Sequence, residues 1–330
     1  MSRIKERLWH AIKRPHSDMH PQDIEWLGIN NVMRTAKLLN TFKFRKERRM
    51  RDRLYRRELD ALLRENGNPL TDHGFMKNGV LIDTSGRWPH LAEMMEQCEQ
   101  VIERNGMTRT GAVGREWIRD IMDQSLLSEY PALLDFITST DVLKIACDYL
   151  GYIPTLSTTV PPGMRLTESH QTPEVAAKHT YARSQLFHVD FHDKHMVYVI
   201  VLLRDVNADC GPFCFFDSDA SARIIKALGY GRRGRAYRLS DDEVFSVVDR
   251  KEMHVLTGKA GTVLFMDPSK CFHYGSRDVV VARYQAMYAL LAPNRADFTE
   301  WYLPPRDFPV KENDSRLRRL VLEKAPYLVG

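Results

Sequence analysis

Long hydrophobic runs are missing from this 330-residue chain. The longest uninterrupted apolar stretch, MVYVIVLL at residues 196–203, is eight residues, far short of the roughly 20 that a membrane-crossing helix needs. A transmembrane helix is excluded on that ground. An apolar signal core is missing as well: the first residues, MSRIKERLWHAIKRP, carry charge throughout. No secretory leader is read there, and the chain is expected in the cytoplasm. Cysteine is scarce and has no pairing pattern. Cys98, Cys147, Cys210, Cys214 and Cys271 make an odd number with no CxxC, which suits free thiols and argues against a disulfide framework or a zinc ribbon. There is no GxSxG, P-loop or HExxH motif, no internal repeat and no low-complexity tract. With 43% hydrophobic and 28% charged residues, the composition is that of a folded globular protein rather than a disordered one.

Charge is unevenly spread. Residues 1–60 hold 16 Lys+Arg against 8 Asp+Glu, a net of +8, whereas the other 270 hold 32 against 35, a net of −3. The excess concentrates in KFRKERRMRDRLYRR, from Lys43 to Arg57, with nine basic residues against Glu47 and Asp52. Two readings stand side by side. One is a peripheral contact with an anionic membrane, or with nucleic acid phosphates; the other is a solvated helix face laced with i,i+4 pairs.

Apolar spacing through Val32, Ala36, Leu39, Met50, Leu54 and Leu62 predicts helix from Asn30 to about Asn66, stopped by Gly67 and Pro69. GVLID at 79–83 reads as a short strand. Helix is predicted again from Leu91 to about Gly106, then over 115–125 and 130–150. After Pro154 the character changes. TLSTTV, SQLFHVD, HMVYVIVLL, PFCFF, GTVLFMD and DVVVARYQAMYALL are short β-branched or aromatic runs bounded by turn residues. Helical crossovers do not separate them, so an antiparallel sandwich or barrel is expected rather than a doubly wound parallel sheet. Residues 219–256, Gly-rich and basic (GYGRRGRAYR), then acidic (SDDEVFSVVDR), read as a long insertion between barrel strands, of the kind that forms lids or recognition elements. The expected division is a basic helical N-terminal extension, 1–70, and a β-cored domain, 71–330.

The sharpest chemical feature is His188-Val189-Asp190 within SQLFHVD, with His273 much later in GTVLFMDPSKCFHYG. Residues i and i+2 of a strand project from one face, so an imidazole and a carboxylate stand together. A second histidine from a neighbouring strand completes the 2-His-1-carboxylate face used by non-haem Fe(II) oxygenases, which leaves metal positions open for a co-substrate and O2. The triplet alone means little, since His16-Ser17-Asp18 is another HxD in a polar, Pro-flanked stretch. The strand context is what distinguishes His188. Arg283 lies in the middle of DVVVARYQAMYALL, ten residues after His273, on a face shared with Val279, Val281, Gln285 and Met287. An arginine inside an apolar strand calls for an anion. If that face looks into the barrel, a dicarboxylate co-substrate is the natural partner.

These residues resemble the motif of the Fe(II)/2-oxoglutarate-dependent dioxygenases, and the surrounding sequence is similar to the phytanoyl-CoA dioxygenase-like branch. The likeness runs over roughly residues 75–292. It includes Gln185, three residues before His188, the stretch LLRDVNADCGPFCFF at 202–216, and DVLKIACDYLGYIPTL at 141–156. Cys210 stands where that family usually has Asn before Gly-Pro, and Asp217-Ser218-Asp219 where it has a Pro-Gly-Ser-His turn. The resemblance implies a double-stranded β-helix (a jelly-roll, cupin-like barrel) with a helical N-terminal region packed on it. It implies Fe(II) on His188, Asp190 and His273, 2-oxoglutarate on Arg283 with support from Gln185, and O2 as oxidant. The activity implied is hydroxylation with release of succinate and CO2.

Three further features bear on the substrate. His192 continues the register of His188 and Asp190, as a substrate neighbour or a local hydrogen-bonding group. Gly229-Tyr230-Gly231-Arg232-Arg233-Gly234 fits GxGxxG, but lacks the strand before and the helix after that a dinucleotide site needs. It reads instead as a basic loop near the cavity mouth, with Arg232 and Arg233 as candidate contacts. The basic loop from Arg232 to Arg238 and the basic first 60 residues favour an anionic small molecule or a lipid-linked sugar or acyl substrate. A hydroxylase or demethylase acting on a protein or nucleic acid, and a non-catalytic binding barrel, are the alternatives.

Overall fold

The computed structural model describes residues 26–67, 72–106, 117–170 and 181–323; the His16 triplet and the first 25 residues of the basic extension lie outside them. Helices α1 (Ile29–Lys43) and α2 (Arg45–Asn66) come first. They are the helical pattern expected over 30–66, interrupted at Phe44, which departs from helical angles (φ −100°, ψ 21°). Gly67 ends α2 at a φ of 114°. There follow β1 (Val80–Asp83), α3 (Leu91–Gly106), β2 (Ile118–Asp120), α4 (Ala132–Ile137), α5 (Thr140–Leu150), β3 (Thr155–Leu156), β4 (Met164–Ser169), β5 (Val197–Leu202), β6 (Phe213–Phe215), α6 (Ser218–Leu228), α7 (Asp241–Phe245), β7 (His254–Leu256), β8 (Val263–Met266), β9 (His273–Tyr274), β10 (Arg283–Leu291), α8 (Thr299–Tyr302) and α9 (Arg316–Leu322).

Several expected elements change here. Of the helix predicted over 115–125, residues 115 and 116 lie outside the described residues, and the rest is strand β2 followed by a 3₁₀ turn at Gln124–Ser128, which Asp123 caps by accepting the Ser125 N–H. SQLFHVD contributes only a two-residue bridge at Phe187 and His188. The strand expected from Asp278 begins only at Arg283. Ser276 and Asp278 have positive φ (62° and 50°), and the N–H groups of Val280 and Val281 both turn to the Asp209 carbonyl. Residues 218–256 are not an open loop: α6 and α7 form within them, and the stretch re-enters a sheet at His254.

All strand pairs are antiparallel. A large sheet runs β1-β8-β5-β10-β4-β2, with β3 beside the end of β10, and a small one runs β7-β6-β9. The small sheet is widened by His188 pairing with His273 and by Phe187 pairing with Leu239. From β4 to β10 the chain thus passes back and forth between two facing sheets, in the order β8-β5-β10-β4 on one and β7-β6-β9-bridge on the other. That is the double-stranded β-helix.

Side-chain alternation sorts the core into three layers. On β5, Val197, Val199 and Val201 face outward to the helices, packing in one cluster with Leu54, Leu143, Tyr288 and Leu290. Tyr198, Ile200 and Leu202 face inward with Phe213, Phe215, Leu264, Met287 and Leu291. A third cluster covers the back of the small sheet, where Ala220 and Ile224 of α6 and Ile29 and Met33 of α1 meet Phe187, Val189 and Phe272.

Part of the basic run is interior. Arg51 is 1% exposed. Its Nε donates to Glu47 Oε1 at 2.9 Å, and its Nη1 donates to the carbonyls of Ile153 (3.3 Å) and Pro154 (3.0 Å). Arg48 pairs with Asp52 at i,i+4, while Arg45, Lys46, Arg49, Arg53, Arg56 and Arg57 face solvent. Removing one member of a buried pair leaves an uncompensated charge. Arg51→Ala is therefore expected to lower stability in urea unfolding by about 3–5 kcal/mol. The paired change Arg51→Met with Glu47→Leu should lose much less, and equal loss in both would show that the charges are not what the site depends on.

Candidate metal centre

The centre forms where the small sheet brings two histidines side by side. His188 N–H donates to the His273 carbonyl (3.1 Å) and His273 N–H to the His188 carbonyl (2.9 Å), so both side chains leave the same face, toward the barrel interior. Their neighbours in sequence, Phe187, Val189, Phe272 and Tyr274, point the other way into the outer cluster. The ring centroids lie 4.3 Å apart. His188 Nδ1 is 2.8 Å from the Leu186 carbonyl and His273 Nδ1 2.9 Å from the Cys271 carbonyl. A carbonyl can only accept, so each Nδ1 carries the proton and each Nε2 presents a lone pair.

Asp190 completes the group. Its Oδ1 stands 3.7 Å from His188 Nε2 and 3.9 Å from His273 Nε2, too far for hydrogen bonds. Among the described residues, donor atoms of His188, Asp190 and His273 all lie within 4.8 Å of one another. The other carboxylate oxygen accepts from the Tyr198 hydroxyl at 2.6 Å. Burial alone would raise the Asp190 pKa, but His273, His192, the Tyr198 hydroxyl and Arg238 outweigh it and hold it below the usual value. Burial lowers that of His273, which favours the neutral ring. Two neutral imidazoles and one carboxylate, converging on one point with their far sides hydrogen-bonded, fit a divalent transition metal.

Arg283 opens β10 with 2% exposure and points inside, as do Gln285 and Met287. Only its Nη2 is satisfied, by Ser169 Oγ (3.0 Å) and Ser276 Oγ (3.2 Å). Among the described residues Nε and Nη1 are buried without a partner, and burial pushes the guanidinium pKa down to about 10. It adjoins the metal centre: a Cβ placed on Gly275, two residues past His273, would lie 3.6 Å from Arg283 Nη2 and 3.3 Å from the Phe213 ring. That ring is 5.3 Å from the ring of His273. Gln185 reaches this corner through its neighbour, its Nε2 donating to the Ser276 carbonyl at 2.8 Å and its Oε1 accepting from Ala182 N–H at 3.3 Å.

The remaining candidates sit differently. His192 is bound to Asp297 (2.9 Å) beside Arg295, a local hydrogen-bonding position outside the three-residue group. Arg232 and Arg233 are exposed, with Arg233 stacked 5.0 Å over Trp26. Their loop is docked on the start of α1, where Asn30 N–H donates to the Gly231 carbonyl at 3.0 Å. A Cβ at Gly231, whose φ is 77°, would come 2.7 Å from the Asn30 side chain; this contact accounts for a glycine there. Sequence reasoning did not single out Tyr198, Ser169 or Ser276. Tyr198 alternates onto the interior face of β5, a signal that was readable.

The sequence matches no protein-family model and no curated relative. It resembles several solved structures, three of which follow. The apo form of EctD from S. alaskensis is 12% identical, covering 76% of this chain and 85% of that one at a TM-score of 0.43. HygX from Streptomyces hygroscopicus, solved with nickel, 2-oxoglutarate and hygromycin B bound, is 12% identical over 65% of this chain and 83% of its own, also at 0.43. SnoK, a non-heme alpha ketoglutarate dependent carbocyclase from nogalamycin biosynthesis, is 17% identical over 74% and 98%, at 0.43.

Loss of His188 or His273 to Ala should abolish Fe(II) binding in an anaerobic titration of the folded protein. Tyr198→Phe, which removes only the hydrogen bond to Asp190, should weaken it by about 10–100-fold. Wild-type affinity in all three variants would refute the site.

Proposed function

We propose that the protein is an Fe(II)- and 2-oxoglutarate-dependent oxygenase, with His188, Asp190 and His273 as metal ligands and Arg283 as the holder of the co-substrate's distal carboxylate. The observation that carries this reading is Arg283: a fully buried guanidinium with two N–H-bearing nitrogens unmatched among the described residues, beside three convergent metal-type ligands. A buried charge without a counter-charge is expensive, and a carboxylate arriving on it removes that cost through a charge-assisted, bidentate pair.

An Fe(II) ion held there supplies activation of O2 with 2-oxoglutarate as electron donor, so that one oxygen atom enters a substrate C–H bond as hydroxyl and the other enters succinate as CO2 leaves. This chain's own residues position and protect. The Leu186 and Cys271 carbonyls aim the two imidazoles, the Tyr198 hydroxyl holds Asp190, and burial keeps the Tyr198 proton in place by raising its pKa well above normal. Gln185 braces Ser276, which in turn orients Arg283. Phe213, Met287 and Leu256 line the interior with apolar surface and exclude water around the reacting centre.

For the substrate we propose an anionic small molecule or a lipid-linked sugar or acyl group. The outward basic face of α2 and the exposed Arg232, Arg233 and Arg235 support that class and a peripheral approach to an anionic surface.

Anaerobic addition of Fe(II) and then 2-oxoglutarate should produce the weak visible charge-transfer band of the chelate. Arg283→Ala should raise the 2-oxoglutarate concentration needed for half-saturation at least about thirtyfold, the equivalent of about 2 kcal/mol for a truncated buried charge pair. Absence of the band from folded wild-type protein would remove the oxygenase reading and leave a binding barrel.

A further inference from the structure

A second guanidinium, that of Arg238, is brought to the same centre. The backbone register places it. Phe187 and Leu239 exchange both hydrogen bonds, N–H of each to carbonyl of the other at 3.1 and 2.9 Å. In an antiparallel pair the next residues, His188 and Arg238, are then directly opposite and share a face. Phe187 and Leu239 themselves point into the outer cluster, so Arg238 lies on the interior side, in a row with His188 and His273.

The next rung of this ladder is altered. Val189 and Tyr237 would ordinarily bond to each other. Instead the Tyr230 hydroxyl is inserted between them, accepting from Val189 N–H at 3.3 Å and donating to the Tyr237 carbonyl at 2.8 Å. One hydroxyl in place of a direct bond spreads the two segments where Arg238 enters. The guanidinium leans on the Tyr237 ring, 5.0 Å from its centroid, and its Nη1 is buried without an acceptor among the described residues.

We propose that Arg238 is the specificity-determining residue of the site, holding an anionic group of the primary substrate, a carboxylate or a phosphate, beside His188, Asp190 and His273. This rests on the oxygenase reading and names the substrate class within it. Arg283 and Arg238 divide the anions between them: the deeply buried one takes the co-substrate, and the half-buried one, reachable from the edge of the small sheet, takes the substrate.

The test uses full-length wild type, Arg238→Gln and Arg238→Lys, each loaded anaerobically with Fe(II) and 2-oxoglutarate and titrated with methylphosphonate or acetate while the chelate band is followed. All three proteins should form the band with 2-oxoglutarate half-saturation within about twofold of one another, which also shows that they are folded. Methylphosphonate or acetate should perturb the wild-type band, and whichever acts more strongly identifies the anion. Arg238→Gln should weaken that response at least about tenfold, and Arg238→Lys, a point charge without the fork, should restore part of it. Equal responses in wild type and Arg238→Gln, no response in wild type, or loss of 2-oxoglutarate binding in Arg238→Gln overturn the proposal. A missing band in wild type itself overturns the oxygenase reading instead, so the two failures are told apart.

Discussion

The pairing of His188 with His273 is the constraint on which the site depends. Two backbone hydrogen bonds hold the histidines opposite each other, and a slip of one residue would send both rings to the outer face. Very little regular strand enforces this register, since the bridge at 187–188 and β9 are two residues each. The flanking apolar side chains hold it. Phe187 and Val189 on one segment, and Phe272 and Tyr274 on the other, bury themselves in the cluster behind the small sheet, and each such side chain contributes on the order of 1.5–3 kcal/mol of burial. A slipped register would exchange these apolar groups for imidazoles in an apolar layer. The chemistry of the inner face is thereby fixed by the hydrophobicity of the outer one.

Elsewhere this protein buries cationic side chains with their partners. Arg51 has Glu47, Arg295 has Asp297 at 2.5 Å, Arg119 has Glu168, and Arg277 has Asp241. Among the described residues Arg283 and Arg238 depart from that habit, and both adjoin the same three ligands. A structural explanation would have to find a reason why, among the described residues, these two arginines go unpaired beside a metal-type donor set. A pair of anionic ligands supplies the reason directly, since a buried charge that the protein leaves unmatched contributes binding free energy when a counter-charge arrives.

Much of this was legible in the sequence. The alternation of DVVVARYQAMYALL put Arg283, Gln285 and Met287 on one face, which the structure turns inward, though Val279 and Val281 of that expected face precede the strand, and the His-x-Asp spacing put His188 and Asp190 together. The misreadings have a common cause. Strand β4, MRLTES, escaped notice because its polar residues are satisfied by partners distant in sequence, Arg165 by Asp120 and Glu168 by Arg119; a pattern reader sees only their polarity. Over 115–125 the apolar spacing straddles a strand and a 3₁₀ turn, and no helical period is present in either. Arg238 is the clearest case. The sequence shows it only as the end of a basic loop, because its place beside His188 is set by a pairing between residues 187 and 239, more than fifty positions apart.

The departures from the family-like pattern lead to the same corner. Where the resemblance called for a Pro-Gly-Ser-His turn after β6, Asp217 caps α6 by accepting the Ala220 N–H at 2.9 Å, with Asp219 in the first turn. Helix α6 then packs Ala220 and Ile224 behind the small sheet and ends at Gly229, whose left-handed backbone (φ 63°) turns the chain back through Tyr230 toward Arg238. A turn that continued straight into β7 would deliver neither the inserted hydroxyl nor the guanidinium. The segment that replaces the family's turn thus both holds the histidine register from behind and builds the substrate wall in front. For that reason, the identity of the substrate should be sought in residues 217–239 rather than in the metal ligands.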